Sequence, residues 1–280
     1  MSPGQALLVQ APATLRLIRL NSGITSSTAA VLTSWMASPP VPALGMALIA
    51  VVTLLLSSGG YALNDVRDRH IDTINQPRRP IPSDRIGIPP AIFIGITCLL
   101  AAALLALKLT PWCIGVTLLD IFLLIAYALW SKALGAMKNV VVGYLVASGF
   151  MIGVFTFDRI DPVIATLIAC AFFATMGREI VKDIQDSEGD RQHHSRTLAI
   201  TLGPRRAYAA AFICLALSLS IAAIPYAIGL VNDFYLALLL IGFAVFLLAW
   251  QVRQSSARLC QYMIMAGSLV VLAAFAIGSL

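Results

Sequence analysis

Nine stretches of about twenty apolar residues follow one another along this chain, near residues 17–36, 43–63, 89–108, 112–130, 139–157, 162–181, 206–225, 234–251 and 259–279. A helix needs roughly 20 such residues to cross a hydrocarbon core. In lipid the backbone must satisfy its own hydrogen bonds, so runs of this length adopt helices. The remainder of the chain is too small to support another reading: 59% of the 280 residues are hydrophobic and 11% charged, against about 25% charged in a soluble domain. A soluble enzyme and a disordered chain are thereby excluded. Pro42, Pro111 and Pro162 fall near predicted helix starts, where the missing N–H does no harm. The five cysteines lie singly inside apolar runs, which argues against a disulfide framework or a zinc site. Arg16 and Arg19 follow the first apolar stretch instead of preceding it, so no removable signal peptide is expected.

The formal charge of +6 does not point to nucleic acid, because the cations sit between apolar runs with no basic and aromatic stripe. They report orientation instead. Lysine and arginine accumulate on the cytoplasmic side. Here they gather before the first span (Arg16, Arg19), between spans two and three (Arg67, Arg69, Arg78, Arg79, Arg85) and between spans six and seven (Lys182, Arg191, Arg196, Arg205, Arg206). The N-terminus and the two long polar loops are therefore expected in the cytoplasm. An integral membrane protein surrounded by lipid is the localisation this implies.

Those two loops carry the chemistry. The first contains Asp65, Asp68 and Asp72, and the second Asp183, Asp186 and Asp190, each in the pattern D-x-x-D-x-x-x-D and each pair of equivalents 118 residues apart. At 100° per residue, positions i, i+3 and i+7 return to nearly the same side of a helix. Each motif is thus expected to present three carboxylates along one stripe at the end of a membrane helix. The constant offset implies an all-α bundle of two pseudo-repeated four-helix halves, about 14–138 and 139–258, with a ninth helix over about 259–280, making one intramembrane domain. Six carboxylates facing one another across a cavity would repel strongly without cations between them. An all-oxygen set favours Mg²⁺, which is shared between a few carboxylates and substrate phosphates. Interleaved Arg67, Arg69, Arg78, Arg79, Arg178, Lys182 and Arg191 complete a site for a polyanion, diphosphate above all. No phosphate-binding G-x-x-x-x-G-K-[ST] loop is present, which argues against a nucleotide triphosphatase.

The run N-D-V-R-D-R-H-I-D-T-I-N-Q-P-R-R-P-I-P-S (Asn64 to Ser83) and the run G-R-E-I-V-K-D-I-Q-D-S-E-G-D (Gly177 to Asp190) resemble the two aspartate-rich motifs of the UbiA superfamily of intramembrane prenyltransferases. R-L-N at Arg19 to Asn21, Tyr127 followed by Lys132, and T-L-A-I-T-L-G at Thr197 to Gly203 extend the likeness over most of the chain. The wording of the second motif is most similar to the digeranylgeranylglyceryl phosphate synthase-like branch. The resemblance implies a nine-helix bundle that binds a prenyl diphosphate through Mg²⁺. Asn64, Asp65, Asp68 and Asp72 would hold one metal, and Asp183, Asp186 and Asp190 the other. Arg67, Lys132 and Lys182 would contact diphosphate oxygens, with Asn21 nearby. Tyr127 and Asp183 are the residues expected to act in catalysis. The family's serine-glycine at the end of the first loop is here Ser83-Asp84, and its proline after Thr-Leu is here Ala199.

The expected chemistry is loss of diphosphate from an allylic carbon, followed by capture of the cation by a lipophilic acceptor in a dry cavity. Asp120 stands in mid-span, seven positions before Tyr127 and so on the same face; it either lines that cavity with Tyr127 or sits protonated or water-exposed near a kink. A terpene cyclase without acceptor, a transferase acting on a quinone precursor or phenol, and a cation transporter remain the rival readings.

Overall fold

The structure, a computed structural model, describes residues 12–37, 41–155, 158, 160–192 and 196–278, without the side chains of residues 131–134. All regular structure among the described residues is helical: α1 (Leu20–Met36), α2 (Ala43–Asn75), α3 (Ile88–Ala106), α4 (Pro111–Leu134), α5 (Met137–Gly153), α6 (Pro162–Gln185), α7 (Ser187–Gln192), α8 (Leu198–Leu202), α9 (Pro204–Ala222), α10 (Ile224–Ala227), α11 (Asp233–Val252) and α12 (Ala257–Gly278). Seven segments are long and apolar enough to cross a membrane: α2, α3, α4, α6, α9 continued by α10, α11 and α12. Helices α1 and α5 have 17 residues each. The protein is an integral membrane protein, and its surface agrees: Phe93, Leu104, Phe122 and Leu129 each leave more than 60% of their area uncovered, a frequency of bare apolar side chains that water does not tolerate.

Local sequence sets the helix ends. Pro42 caps α2, while Pro111 and Pro162 begin α4 and α6. The Asp161 carboxylate accepts from the Ile164 amide at 2.8 Å, satisfying one of the free donors of the first turn of α6. The helix of the first apolar run begins later than the run suggests, at Leu20 instead of Leu17, because the chain turns at Arg19, which takes φ 45°. Its interior is rich in hydroxyls. Thr25, Ser26, Ser27 and Thr28 each donate to the carbonyl four residues back, and Ser57 of α2 donates to Ser26 at 3.0 Å. The Ser57–Ser26 bond and that from Ser27 Oγ to the Ala50 carbonyl at 2.7 Å join α1 to α2, the polar glue that lipid-embedded helices use in place of hydrophobic contrast.

By its internal contacts the chain divides into two compact units. One contains α1, α2, α3, most of α4 and the last turns of α5 from Gly149. The other contains the first part of α5 and α6 to α12. In the first unit the core is Ala30, Val52, Leu56, Leu99, Ala102 and Val116 with their neighbours. Helices α2 and α3 cross closely at Gly59 and Gly95: a Cβ on Gly59 would stand 2.9 Å from the Gly95 carbonyl oxygen and 2.8 Å from Leu99. In the second unit α6 packs against α9 and α12, and α11 against α12, over Val181, Ala211, Leu215, Phe246 and Ile264. At 33 residues, α2 is about 50 Å long, roughly 20 Å more than the hydrocarbon requires. That overhang carries the first acid motif.

Candidate active site

Asp65, Asp68 and Asp72 all lie on α2, as the i, i+3, i+7 spacing requires. Asp65 is 1% exposed and Asp72 4%, so both carboxylates need compensating charge. Arginines provide it. Arg19 Nη2 stands 2.6 Å from Asp65 Oδ1, and Arg79 Nη1 bridges Asp65 Oδ1 at 3.2 Å and Asp72 Oδ2 at 2.5 Å. The left-handed turn at Arg19 is what delivers its guanidinium, which also lies 4.5 Å from the Tyr61 ring centroid. Burial alone would lower the pKa of Arg19, but the Asp65 carboxylate outweighs it and holds the guanidinium above its ordinary value.

Arg79 arrives by a folded-back loop. The Gln76 amide donates to the Asp72 carbonyl, Ser83 N and Oγ both donate to the Arg79 carbonyl, and the amides of Arg85 and Ile86 donate to Pro80. Asp84 completes this loop at φ 56°, the left-handed region that glycine occupies without cost. The family pattern has glycine at that place, and the backbone shows why. Arg67 holds Asp68 through Nε at 2.8 Å, and its guanidinium lies 5.2 Å from the Tyr127 ring centroid with Nη1 3.4 Å from the Tyr127 carbonyl oxygen. The first unit thus joins Arg67 to Tyr127 across α2 and α4.

The second motif differs from a single helical stripe. Asp183 belongs to α6, but the helix ends at Gln185, Asp186 is a turn residue at φ −90°, ψ 5°, and Asp190 belongs to α7. Bonds from Asp186 N to Lys182 O and from Asp190 N to Asp186 O carry helical spacing through the interruption. Asp183 and Asp190 are buried, at 5% and 8% exposure. Lys138 Nζ stands 2.5 Å from Asp183 Oδ1, and Asn139 Nδ2 donates to Asp183 Oδ2 at 3.1 Å. Arg178 and Lys182, expected at the polyanion, also pair with Glu179, at 2.9 Å and 3.5 Å.

Sequence reasoning left four of these partners out of the site, Arg19, Lys138, Asn139 and Glu179, and expected Arg79 at the polyanion without its contacts to Asp65 and Asp72. One of them was within its reach, since the offset of 118 that relates the acid motifs also carries Asn21 to Asn139. Asn21 itself is exposed in the first turn of α1, and Asp120 is buried on α4 at 3% exposure. The side chain of Lys132 lies outside the described residues.

The donor set suits a hard divalent cation. Beside the buried carboxylates, Asn64 Oδ1 and Gln185 Oε1 are buried oxygens with no hydrogen-bond partner, next to Asp65 and Asp186 respectively. Every candidate ligand is an oxygen. Among the described residues no three His, Cys, Asp or Glu side chains are grouped closely enough to hold a metal ion by themselves; the oxygen-only donors are of the type that Mg²⁺ shares with waters and substrate phosphate.

Comparison with known proteins gives the same direction. Residues 25–277 match the UbiA prenyltransferase family. The digeranylgeranylglyceryl phosphate synthase of Natronomonas pharaonis is 38% identical over 197 residues, 69% of this chain and 70% of that protein. A solved structure of digeranylgeranylglyceryl phosphate synthase superposes with a TM-score of 0.77 at 26% identity, covering 96% of this chain and 98% of its own. A UbiA homologue from Archaeoglobus fulgidus, bound to GPP and Mg²⁺, shares the fold with a TM-score of 0.71 at 15% identity over 93% of this chain and 99% of its own. With 253 consecutive residues inside the family's bounds and both acid motifs among them, the chain belongs to the UbiA prenyltransferase family and is a prenyltransferase.

Proposed function

We propose that this protein transfers a prenyl group from an isoprenyl diphosphate, geranylgeranyl diphosphate in the first instance, to geranylgeranylglyceryl phosphate in a Mg²⁺-dependent reaction. The observation that carries the reading is the pair of acid motifs, each with buried carboxylates and a buried aspartate paired to a cation. Relatives named digeranylgeranylglyceryl phosphate synthase support the choice of acceptor. So does the basic excess around the motifs, which suits an acceptor that bears phosphate.

In this reading nine helices cross the membrane, α1 and α5 among them, and both motifs lie at its cytoplasmic side. Asn64, Asp65, Asp68 and Asp72 hold one Mg²⁺, and Asp183, Asp186 and Asp190 hold a second. Bound Mg²⁺ neutralises the charge that develops on a departing diphosphate. Arg67, Arg178, Lys132 and Lys182 contact the remaining phosphate oxygens, and Asn21 lines the same space. The C1–O bond of the prenyl diphosphate breaks with its electron pair leaving on oxygen. The acceptor hydroxyl oxygen then bonds to C1, its proton passing to the diphosphate. Tyr127, held against Arg67, presents its ring to the allylic cation, while the apolar walls exclude the water that would otherwise capture it.

The test is incubation of the purified protein with radiolabelled geranylgeranyl diphosphate and Mg²⁺, with and without geranylgeranylglyceryl phosphate or a panel of phenols. A labelled product formed only with the glyceryl phosphate is expected. A prenylated phenol would move the acceptor, a cyclised product without acceptor would make the protein a cyclase, and Mg²⁺ flux without diphosphate release would make it a carrier.

A further inference from the structure

A groove between α9 and α11 takes no part in either acid motif. Its volume is about 470 Å³, within the roughly 300–1,000 Å³ typical of small-molecule sites. Phe212, Ala216 and Leu219 form one wall and Phe243, Leu247 and Trp250 the other, with no polar side chain among them. Along α9 the positions 205, 209, 212, 216 and 219 recur at alternating steps of four and three, a single helical face, so Arg205 heads the stripe that becomes the groove wall. On α11, Trp250 packs edge-on to Phe212 at 4.8 Å between ring centroids, and the Arg253 guanidinium lies 3.4 Å from the Trp250 centroid. Tyr208 Oη donates to the Arg253 carbonyl at 2.7 Å and ties the two helices together at this end.

The charge at the two ends is unequal. Arg205 and Arg206 stand in the first turn of α9, Arg253 caps α11, and Arg258 lies in the first turn of α12. Residues 203–212 and 247–262 contain no Asp or Glu, and among the described residues none of the four arginines forms an ion pair with a carboxylate. At the far end, residues 223–234 contain Asp233 and no lysine or arginine. An apolar slot with tryptophan at its rim and uncompensated guanidinium groups above it has the chemistry of one lipid: a hydrocarbon tail below a phosphate. A prenyl diphosphate is the poorer match, because the groove offers no carboxylate through which a metal could share the second phosphate.

We propose that the groove between α9 and α11 is a binding site for an anionic membrane phospholipid, one chain lying between Phe212 and Leu247 and the phosphate held by Arg205 and Arg253. The site stands independently of the acceptor assigned above. Each arginine near the headgroup level contributes about fivefold to selection of an anionic over a zwitterionic lipid.

Trp250 makes the site observable. The full-length protein is reconstituted with phosphatidylglycerol or phosphatidylcholine brominated in the acyl chain, and the Trp250 component of fluorescence is obtained by difference from Trp250→Phe. Half-maximal quenching is expected at a mole fraction of brominated phosphatidylglycerol at least about fivefold below that of phosphatidylcholine. The preference is expected to vanish in Arg205→Gln/Arg253→Gln and to survive in Arg205→Lys/Arg253→Lys, which keeps both charges. Equal quenching by the two lipids in the unaltered protein overturns the proposal without recourse to any variant. Loss of the quenching on adding geranylgeranyl diphosphate also overturns it, by giving the groove to the substrate.

Discussion

Arg79 holds two buried carboxylates at once, at 3.2 Å and 2.5 Å, with 21% of its side chain exposed. Arg79→Gln removes the charge and withdraws the donors that reach both carboxylates, while leaving a polar side chain. Breaking a buried pair costs about 3–5 kcal/mol, because the partner charge stays buried without compensation. Asp65 retains Arg19 at 2.6 Å, so the loss falls mainly on Asp72 and lies near the lower figure, about 3 kcal/mol. At roughly 2–4 °C per kcal/mol this lowers the melting temperature by about 6–12 °C. A divalent cation that binds the same carboxylates stabilises by about 2.7 kcal/mol at a hundred times its dissociation constant, so saturating Mg²⁺ recovers most of the deficit and stabilises Arg79→Gln more than the unaltered protein. Thermal unfolding followed by circular dichroism, with Mg²⁺ and with EDTA, reads both quantities. Arg85→Gln serves as control, since Arg85 is exposed in the same loop and forms no ion pair among the described residues; its effect is expected within about 0.5 kcal/mol. A deficit that Mg²⁺ leaves unchanged would refute the assignment of Asp65 and Asp72 as metal ligands, and no deficit in EDTA would refute the electrostatic argument itself.

Asp183→Asn leaves Lys138 without the carboxylate 2.5 Å away and removes a proposed metal ligand; diphosphate release is expected to slow by about 10²-fold or more, the scale of losing one stabilising group at a developing anion. Tyr127→Leu removes the ring, 5.2 Å from the Arg67 guanidinium, that is proposed to face the allylic cation; a cation–ring contact is worth about 0.5–2 kcal/mol, so kcat is expected to fall by about 2- to 30-fold in steady-state kinetics. Gly153→Ala places a methyl against the Ala30 carbonyl and 2.8 Å from Thr33 Cβ; overpacking of that kind costs about 1–3 kcal/mol, seen as a lower melting temperature with the Mg²⁺ response intact. Asp84→Gly relieves the left-handed φ of 56° and is expected to raise stability by up to about 1 kcal/mol, the penalty for a side chain there less the entropy that glycine forfeits.

Much of this arrangement is legible in the sequence because it is local. Apolar runs mark the long helices, prolines mark three of their starts, and the spacing of Asp65, Asp68 and Asp72 places them on one face of α2 since period alone decides it. The same rule applied to Asp183, Asp186 and Asp190 meets a chain that turns at Asp186. Ser187 and Gly189 favour turns over helix interior, a signal present in the sequence but outweighed there by the exact repetition of the acid pattern.

The counter-ions could not be read in that way. Arg19 and Asp65 are 46 residues apart, Asn139 and Asp183 are 44 apart, and Arg79 reaches Asp65 across 14 residues by a loop that doubles back. Spacing rules extend over one or two helical turns; beyond that, a pair is fixed by which helices cross and how closely. Such crossings depend on features like the facing glycines 59 and 95, whose meaning is visible when both helices are in place. Burial then decides which cation each carboxylate takes. A carboxylate 1% exposed needs a cation within contact distance, and Arg19 and Arg79 meet that need from two separate segments. The repeat is the exception that carries long-range information in the sequence itself. An asparagine at the start of α1 and another at the start of α5, separated by the same 118 residues as the acids, mark equivalent places, and Asn139 is found on the first carboxylate of its motif. An offset common to acids and amides therefore constrains tertiary contacts where periodicity is silent.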